Sequence, residues 1–178
     1  MNEEELRKHR CCFTGHRPEK LMYSENQIKP LLEKTIDNAI SDGYVTFITG
    51  MARGTDIWAA EIVIERKKYN ENLHLICAIP HPRFEMHRGI HEEEKYRNII
   101  KNADYVKTIS NHYFKACYQI RNKFMVDRSN RVIAVYNGGE FKYTSRKELI
   151  DFCVKHMANH ASYDYCKFIK SGYDSIAP

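Results

Sequence analysis

The chain has 178 residues, 43% of them hydrophobic, and its 28 basic and 23 acidic side chains give a formal net charge of +5. That length suits one domain, residues 1–178, with a core of its own; the mild, scattered positive excess permits contact with phosphates without requiring nucleic acid, and no apolar run approaches the roughly 18 residues of a membrane span. Cys11, Cys12, Cys77, Cys117, Cys153 and Cys166 form no C-x-x-C pair, which argues against a disulfide framework or zinc site and for free thiols in the reducing cytoplasm.

The start, Met1 to Leu6, is acidic and polar, and residues 1–8 are expected to be disordered. The first β-rich run, Arg10 to Thr14, leads into Thr14-Gly15-His16-Arg17-Pro18. There Gly15 permits a tight turn, the Thr14 hydroxyl can donate to a phosphate oxygen and Arg17 can hold an anion bidentately; a plain solvated turn is the alternative. A helix follows: Ile28, Leu31, Leu32, Ile36, Ala39 and Ile40 share one face, Ser24 and Gln27 form a capping-box pattern, and Gly43 closes the segment. Pro30 lies inside that pattern, so the regular helix is predicted to begin only near it.

The second run, Tyr44 to Thr49, passes into Gly50-Met51-Ala52-Arg53-Gly54-Thr55-Asp56 and then a helix carrying Ile57, Ala60, Val63 and Ile64. Two glycines four apart between a strand and a helix let backbone N–H groups approach an anion, and the helix points its positive end at the same spot. Arg53 is the phosphate candidate; Asp56 either accepts from a ribose hydroxyl or, like Thr55, caps the helix. The spacing is neither the G-x-G-x-x-G fingerprint nor the G-x-x-x-x-G-K-[ST] loop.

The third run, Leu73 to Ile79, opens into Pro80 to Arg88, where Phe84 can cover a base and Arg83 or Arg88 can meet a phosphate, against the alternative of a stiff two-proline connection. After the fourth run, Tyr105 to Ile109, come Tyr113, Phe114 and Tyr118; they can stack on bases, but the preferred reading makes them core. Arg121-Asn122 precede the fifth run, Arg131 to Tyr136, which ends in Asn137-Gly138-Gly139, a second backbone cradle or an ordinary turn. Thr144 and Ser145 start a last helix, with Glu148 completing a capping box and Leu149, Phe152, Cys153, His156 and Met157 forming its apolar stripe; a sixth run is Tyr165 to Ile169. His87 with His91 and His156 with His160 have the four-residue spacing of metal ligands, and Glu85 or Glu94 could serve as a third, but H-E-x-x-H is absent, surface or core histidines are the preferred reading, and no metal site is predicted.

Strands and helices alternating in this way predict an α/β domain with a mostly parallel sheet. Ligands in such sheets sit beyond the carboxyl ends of the strands, near the place where strand order reverses. Every unusual motif of the chain falls at such an end.

The succession T-G-H-R-P, G-M-A-R-G-T-D-x-W-A-A-E, R-N-x-x-M-V-D-x-S and N-G-G resembles the YpsA-like family of the SLOG superfamily, which also holds the DNA-processing protein DprA (Smf) and the LOG phosphoribohydrolases. The resemblance runs from about Cys12 to the last helix. It implies a Rossmann-like, three-layer α/β/α fold and a pocket for a nucleotide or a nucleotide-derived ligand such as NAD or ADP-ribose, in a homo-oligomer, most simply a dimer. Carried over motif by motif, the pocket draws on Gly15, His16 and Arg17, on Gly50, Arg53, Gly54 and Asp56, and on Arg121, Asn122, Gly138 and Gly139; Thr14, Met51, Ala52, Thr55 and Thr144 complete the candidate set. LOG enzymes carry P-G-G-x-G-T-x-x-E, whereas Asn137 to Thr144 lack the second G-T step and the helical glutamate, which weakens a phosphoribohydrolase reading. DprA patterns S-G-L-A-R-G-I-D and R-N-R resemble Gly50 to Asp56 and Arg121-Asn122, so single-stranded DNA binding stands as a further alternative, not favoured because no dense basic stripe is present. The leading expectation is a nucleotide sensor or binding module.

Overall fold

The computed structural model describes residues 2–84, 89–136 and, for the backbone, 166–170. In chain order the elements are α1 (Glu3–Lys8), β1 (Arg10–Gly15), a 3-10 turn (Pro18–Lys20), α2 (Glu25–Ser41), β2 (Thr46–Thr49), α3 (Thr55–Lys67), β3 (His74–Ile79), α4 (Ile90–Asn102), β4 (Tyr105–Thr108), α5 (Cys117–Asp127), β5 (Arg131–Tyr136) and β6 (Cys166–Lys170). The expected last helix with Ser145 and Glu148 lies outside the described residues, as do Gly138, Gly139 and Thr144.

Six strands form one sheet in the order β4-β3-β2-β1-β5-β6, and all five pairings are parallel. The chain steps outward from β1 to the β4 edge, then returns to β1's other side as β5. Strand order therefore reverses between β1 and β5, with Gly15 opposite Val135. This is the Rossmann-like three-layer arrangement that the alternation and the family resemblance predict.

Period-two alternation sorts β1 between two cores. Cys11 and Phe13 join Ile28, Leu32, Ile36, Ile57, Trp58 and Val63 of α2 and α3 on one face, where the Phe13 and Phe47 rings stack at 5.9 Å. Cys12 joins Ile48, Ala78 and Val132 beneath Met125 and Val126 of α5 on the other. Each such large, fully buried side chain contributes about 2 kcal/mol. Cys11, Cys12, Cys77 and Cys117 are buried free thiols, and burial pushes the Cys77 thiol up to about 12, which leaves it inert.

Two expectations are corrected. Residues 3–8 are helical, not disordered: Asn2 Oδ1 accepts from Glu5 N at 2.9 Å, acids fill the first turn, and Arg7 and Lys8 sit in the last. α2 starts at Glu25, before Pro30. Gln27 Oε1 accepts from Ser24 N at 3.1 Å, and the carbonyl that Pro30 cannot serve belongs to exposed Asn26, where water can satisfy it.

The α4–β4 corner is fastened by Asp104. Its Oδ2 accepts from Leu75 N at 2.7 Å and from Lys67 Nζ. Partial burial pushes the carboxyl up, but the Lys67 ammonium and the Leu75 amide outweigh it and hold Asp104 below the ordinary aspartate value. A depressed pKa means stability that is present above the unfolded value of about 3.9 and lost as pH falls through the folded one. Urea unfolding of Asp104→Asn should show a deficit at pH 7 that shrinks progressively as the pH is lowered below about 4.

Candidate functional site

A cleft of about 180 Å³ opens at the carboxyl end of β1, lined by Phe13, Thr14, Gly15, Arg17, Ala52, Asp56, Tyr118, Arg121, Asn122 and Met125. It lies at the β1 side of the strand reversal, the position expected for a ligand. Three chain segments distant in sequence build it: the end of β1, the β2–α3 turn and one face of α5.

Glycines bring those segments together. A methyl group on Gly15 would collide with the Thr55 hydroxyl, and one on Gly50 would collide with the Arg121 guanidinium. Gly54 has φ +93°, and a methyl group there would stand 2.8 Å from Pro18 Cδ. The space each glycine leaves is thus filled by protein. This differs from the expectation that Gly54 admits a ligand to the backbone.

The β2–α3 turn also uses its own amides. Met51 N donates to Thr49 Oγ1 at 3.2 Å, and Ala52 N donates to Asp56 Oδ2 at 3.1 Å. Asp56 and Thr55 are not the helix cap; Gly54 occupies that position. Both residues lie in the first turn of α3, with the Asp56 carboxylate bent back to close the loop. Met51, at φ 59°, is fully buried in the core.

Arg121 is the centre of the arrangement. Its Nη1 donates to Gly50 O and lies 3.8 Å from Asp56 Oδ2, with both side chains under 10% exposed. Its guanidinium lies 5.8 Å from the Phe84 ring centroid. Phe84 is itself buried, so it supports Arg121 and is not a cover over a base.

Several predicted residues stand elsewhere. Arg53 Nη2 donates to both Glu19 oxygens at 2.7 Å and lines a second cleft of about 200 Å³ with Pro18, Tyr23, Gly54 and Trp58. His16 is tied by its amide to Val135 O at 2.9 Å and lines neither cleft. The structure therefore gathers Thr14, Gly15, Arg17, Ala52, Asp56, Arg121 and Asn122 at one cleft and sets Met51, Arg53, Gly54 and Thr55 behind or beside it. Gly138, Gly139 and Thr144 lie outside the described residues.

Tyr118, Phe13 and Met125 line the cleft without having been singled out as site residues. For two of them a signal existed: 118, 121, 122 and 125 follow helical i, i+3, i+4, i+7 spacing, so the Arg121-Asn122 motif already marks their face. The core reading of the aromatic trio also fails in part, since Tyr113 and Phe114 are exposed in the segment before α5.

The family model described as YspA SLOG family matches residues 11–171. The chain belongs to this YpsA-type SLOG family. A UPF0398 protein of Macrococcus caseolyticus (strain JCSC5402) is 30% identical over 164 residues, covering 83% of this chain and 85% of the relative. A UPF0398 protein of Staphylococcus aureus (strain JH9) is 26% identical over 112 residues, covering 62% of this chain and 60% of its own length. The SLOG match spans all three segments that form the cleft. Among the described residues no helix is long and apolar enough to cross a membrane.

Two substitutions test the interlock. Gly50→Ala must displace Arg121 and should cost about 2 kcal/mol in urea denaturation. Gly54→Ala combines a left-handed φ with the Pro18 contact and should cost a similar amount, about 2 kcal/mol, seen as a lowered Tm.

Proposed function

We propose that the cleft binds a nucleotide or nucleotide-derived phosphate ester and that the protein acts as a sensor or binding module. One observation carries this reading: cationic Arg17 and Arg121, polar Thr14 and Asn122, and apolar Phe13, Tyr118 and Met125 converge on one cavity at the point of strand reversal. Such a mixture suits a ligand with an anionic end and a flat, less polar end. SLOG membership supports the same class of ligand.

Binding is favoured over hydrolysis by the state of Asp56. It is the one carboxylate among the described residues lining the cleft, and its Oδ2 accepts from the Ala52 amide and lies 3.8 Å from Arg121 Nη1. Glycosidic cleavage needs an acid or carboxylate placed beside the sugar. A carboxylate committed to holding its own loop is poorly suited to that work.

Thermal-shift titration with AMP, NAD and ADP-ribose should reveal stabilisation by at least one of them. Arg17→Ala should weaken that ligand about tenfold or more, the effect of losing a charge-assisted hydrogen bond, while Arg53→Ala, outside the cleft, should leave it unchanged. No free base should appear from nucleoside monophosphates. Release of base would restore the phosphoribohydrolase reading, and steeply salt-dependent binding of single-stranded DNA without nucleotide binding would replace both.

A further inference from the structure

The apolar end of the cleft is built from aromatic rings. Tyr118, on the first turn of α5, is part-buried and lines the cavity beside Arg121 and Asn122. Its ring meets His81 at 6.0 Å and 84°, Phe84 at 5.8 Å and 64° and Tyr113 at 6.1 Å and 64°. Its hydroxyl lies 3.5 Å from His81 Nε2. His81 in turn meets Phe84 at 81° and Tyr113 at 78°.

Edge-to-face contacts of this kind fix a ring's plane as well as its position. Three rings from two segments, the turn after β3 and the stretch before α5, thus hold one tyrosine at the cavity wall. If the only task were to bury Tyr118, the cleft would not need it as lining. Arg121 follows one helical turn later, so the aromatic wall and the guanidinium are held at one fixed separation.

Resting on the binding reading above, we propose that Tyr118 is the stacking platform for a planar heteroaromatic ring, that His81 is its positioning residue, and that the ligand class is accordingly a base-bearing nucleotide and not a sugar phosphate. The platform is sequence-tolerant in the sense that every base has a π-face. Selectivity between base-bearing and base-free phosphates therefore resides at Tyr118, whereas overall anion affinity resides at Arg17 and Arg121.

Calorimetric titration of the full chain with AMP, UMP and ribose 5-phosphate tests the assignment. Tyr118→Ala should weaken AMP and UMP about tenfold and leave ribose 5-phosphate within twofold. Tyr118→Phe, which keeps the ring and loses only the hydroxyl, should bind all three as the wild type does, and it guards against misreading a folding defect. His81→Ala should lower the ratio of AMP to ribose 5-phosphate affinity about threefold, with recovery in His81→Phe. Parallel weakening of both ligand kinds in Tyr118→Ala, unchanged AMP binding in that variant, or an equal loss in Tyr118→Phe would overturn the platform and leave the cleft reading intact. A wild-type protein that binds none of the three would remove the cleft reading and the platform with it.

Discussion

The Arg121 guanidinium seated on the Gly50 carbonyl is the contact on which the rim of the sheet depends. It joins α5, on one face of the sheet, to the turn that starts α3, on the other. Gly50 has no side chain because the guanidinium needs that volume. The Asp56 carboxylate, 3.8 Å away, compensates a charge that would otherwise be costly to bury. Gly15 beneath Thr55 and Gly54 beneath Pro18 repeat the device at the neighbouring junctions. Gly15, Gly50 and Gly54 are therefore joints between segments, and what they bring together at the cleft is side chains rather than open backbone.

The fold was legible in the sequence because its determinants are local. β-rich runs bounded by turn residues, capping patterns such as Ser24 with Gln27, and regular spacing of apolar side chains are read within a dozen residues, and the resulting strands agree with the observed ones to within a residue or two at most ends. What could not be read was which side of each turn a side chain takes. Arg53 and Ala52 are adjacent, yet one faces the second cleft and the other the first; that choice is set by Glu19, 34 positions away. Asp56 looked like a cap because it begins a helix, but the cap is Gly54, two residues earlier. For Tyr118 the core reading was preferred over base stacking because an aromatic at helical spacing usually signals core, and only the neighbouring Arg121-Asn122 pair identifies its face as the cleft's.

Polarity is distributed along the cleft in an ordered way. Thr14 arrives from β1 and Arg17 from the turn after it, Arg121 and Asn122 from the middle of α5, and Tyr118 and Met125 from a turn before and a turn after on that same helix face. One helix face thus supplies both a guanidinium and an aromatic wall, and the turn after β1 supplies a second guanidinium, that of Arg17. Asp56, which also lines the cleft, has its Oδ2 turned back to hold Ala52 N. A negative group entering the cleft would meet an Arg121 held on the Gly50 carbonyl and a carboxylate whose Oδ2 already accepts from Ala52 N.

Arg121 is immobilised by its own protein before any guest arrives. A long side chain ordinarily surrenders rotamer freedom when it grips a ligand, up to about 2 kcal/mol for arginine or lysine. Here that entropy has been lost during folding, so a guest gripped by Arg121 would meet a group already set in place. The same rigidity exacts geometric fidelity: a guest of the wrong length gains nothing from a receptor that does not bend to meet it.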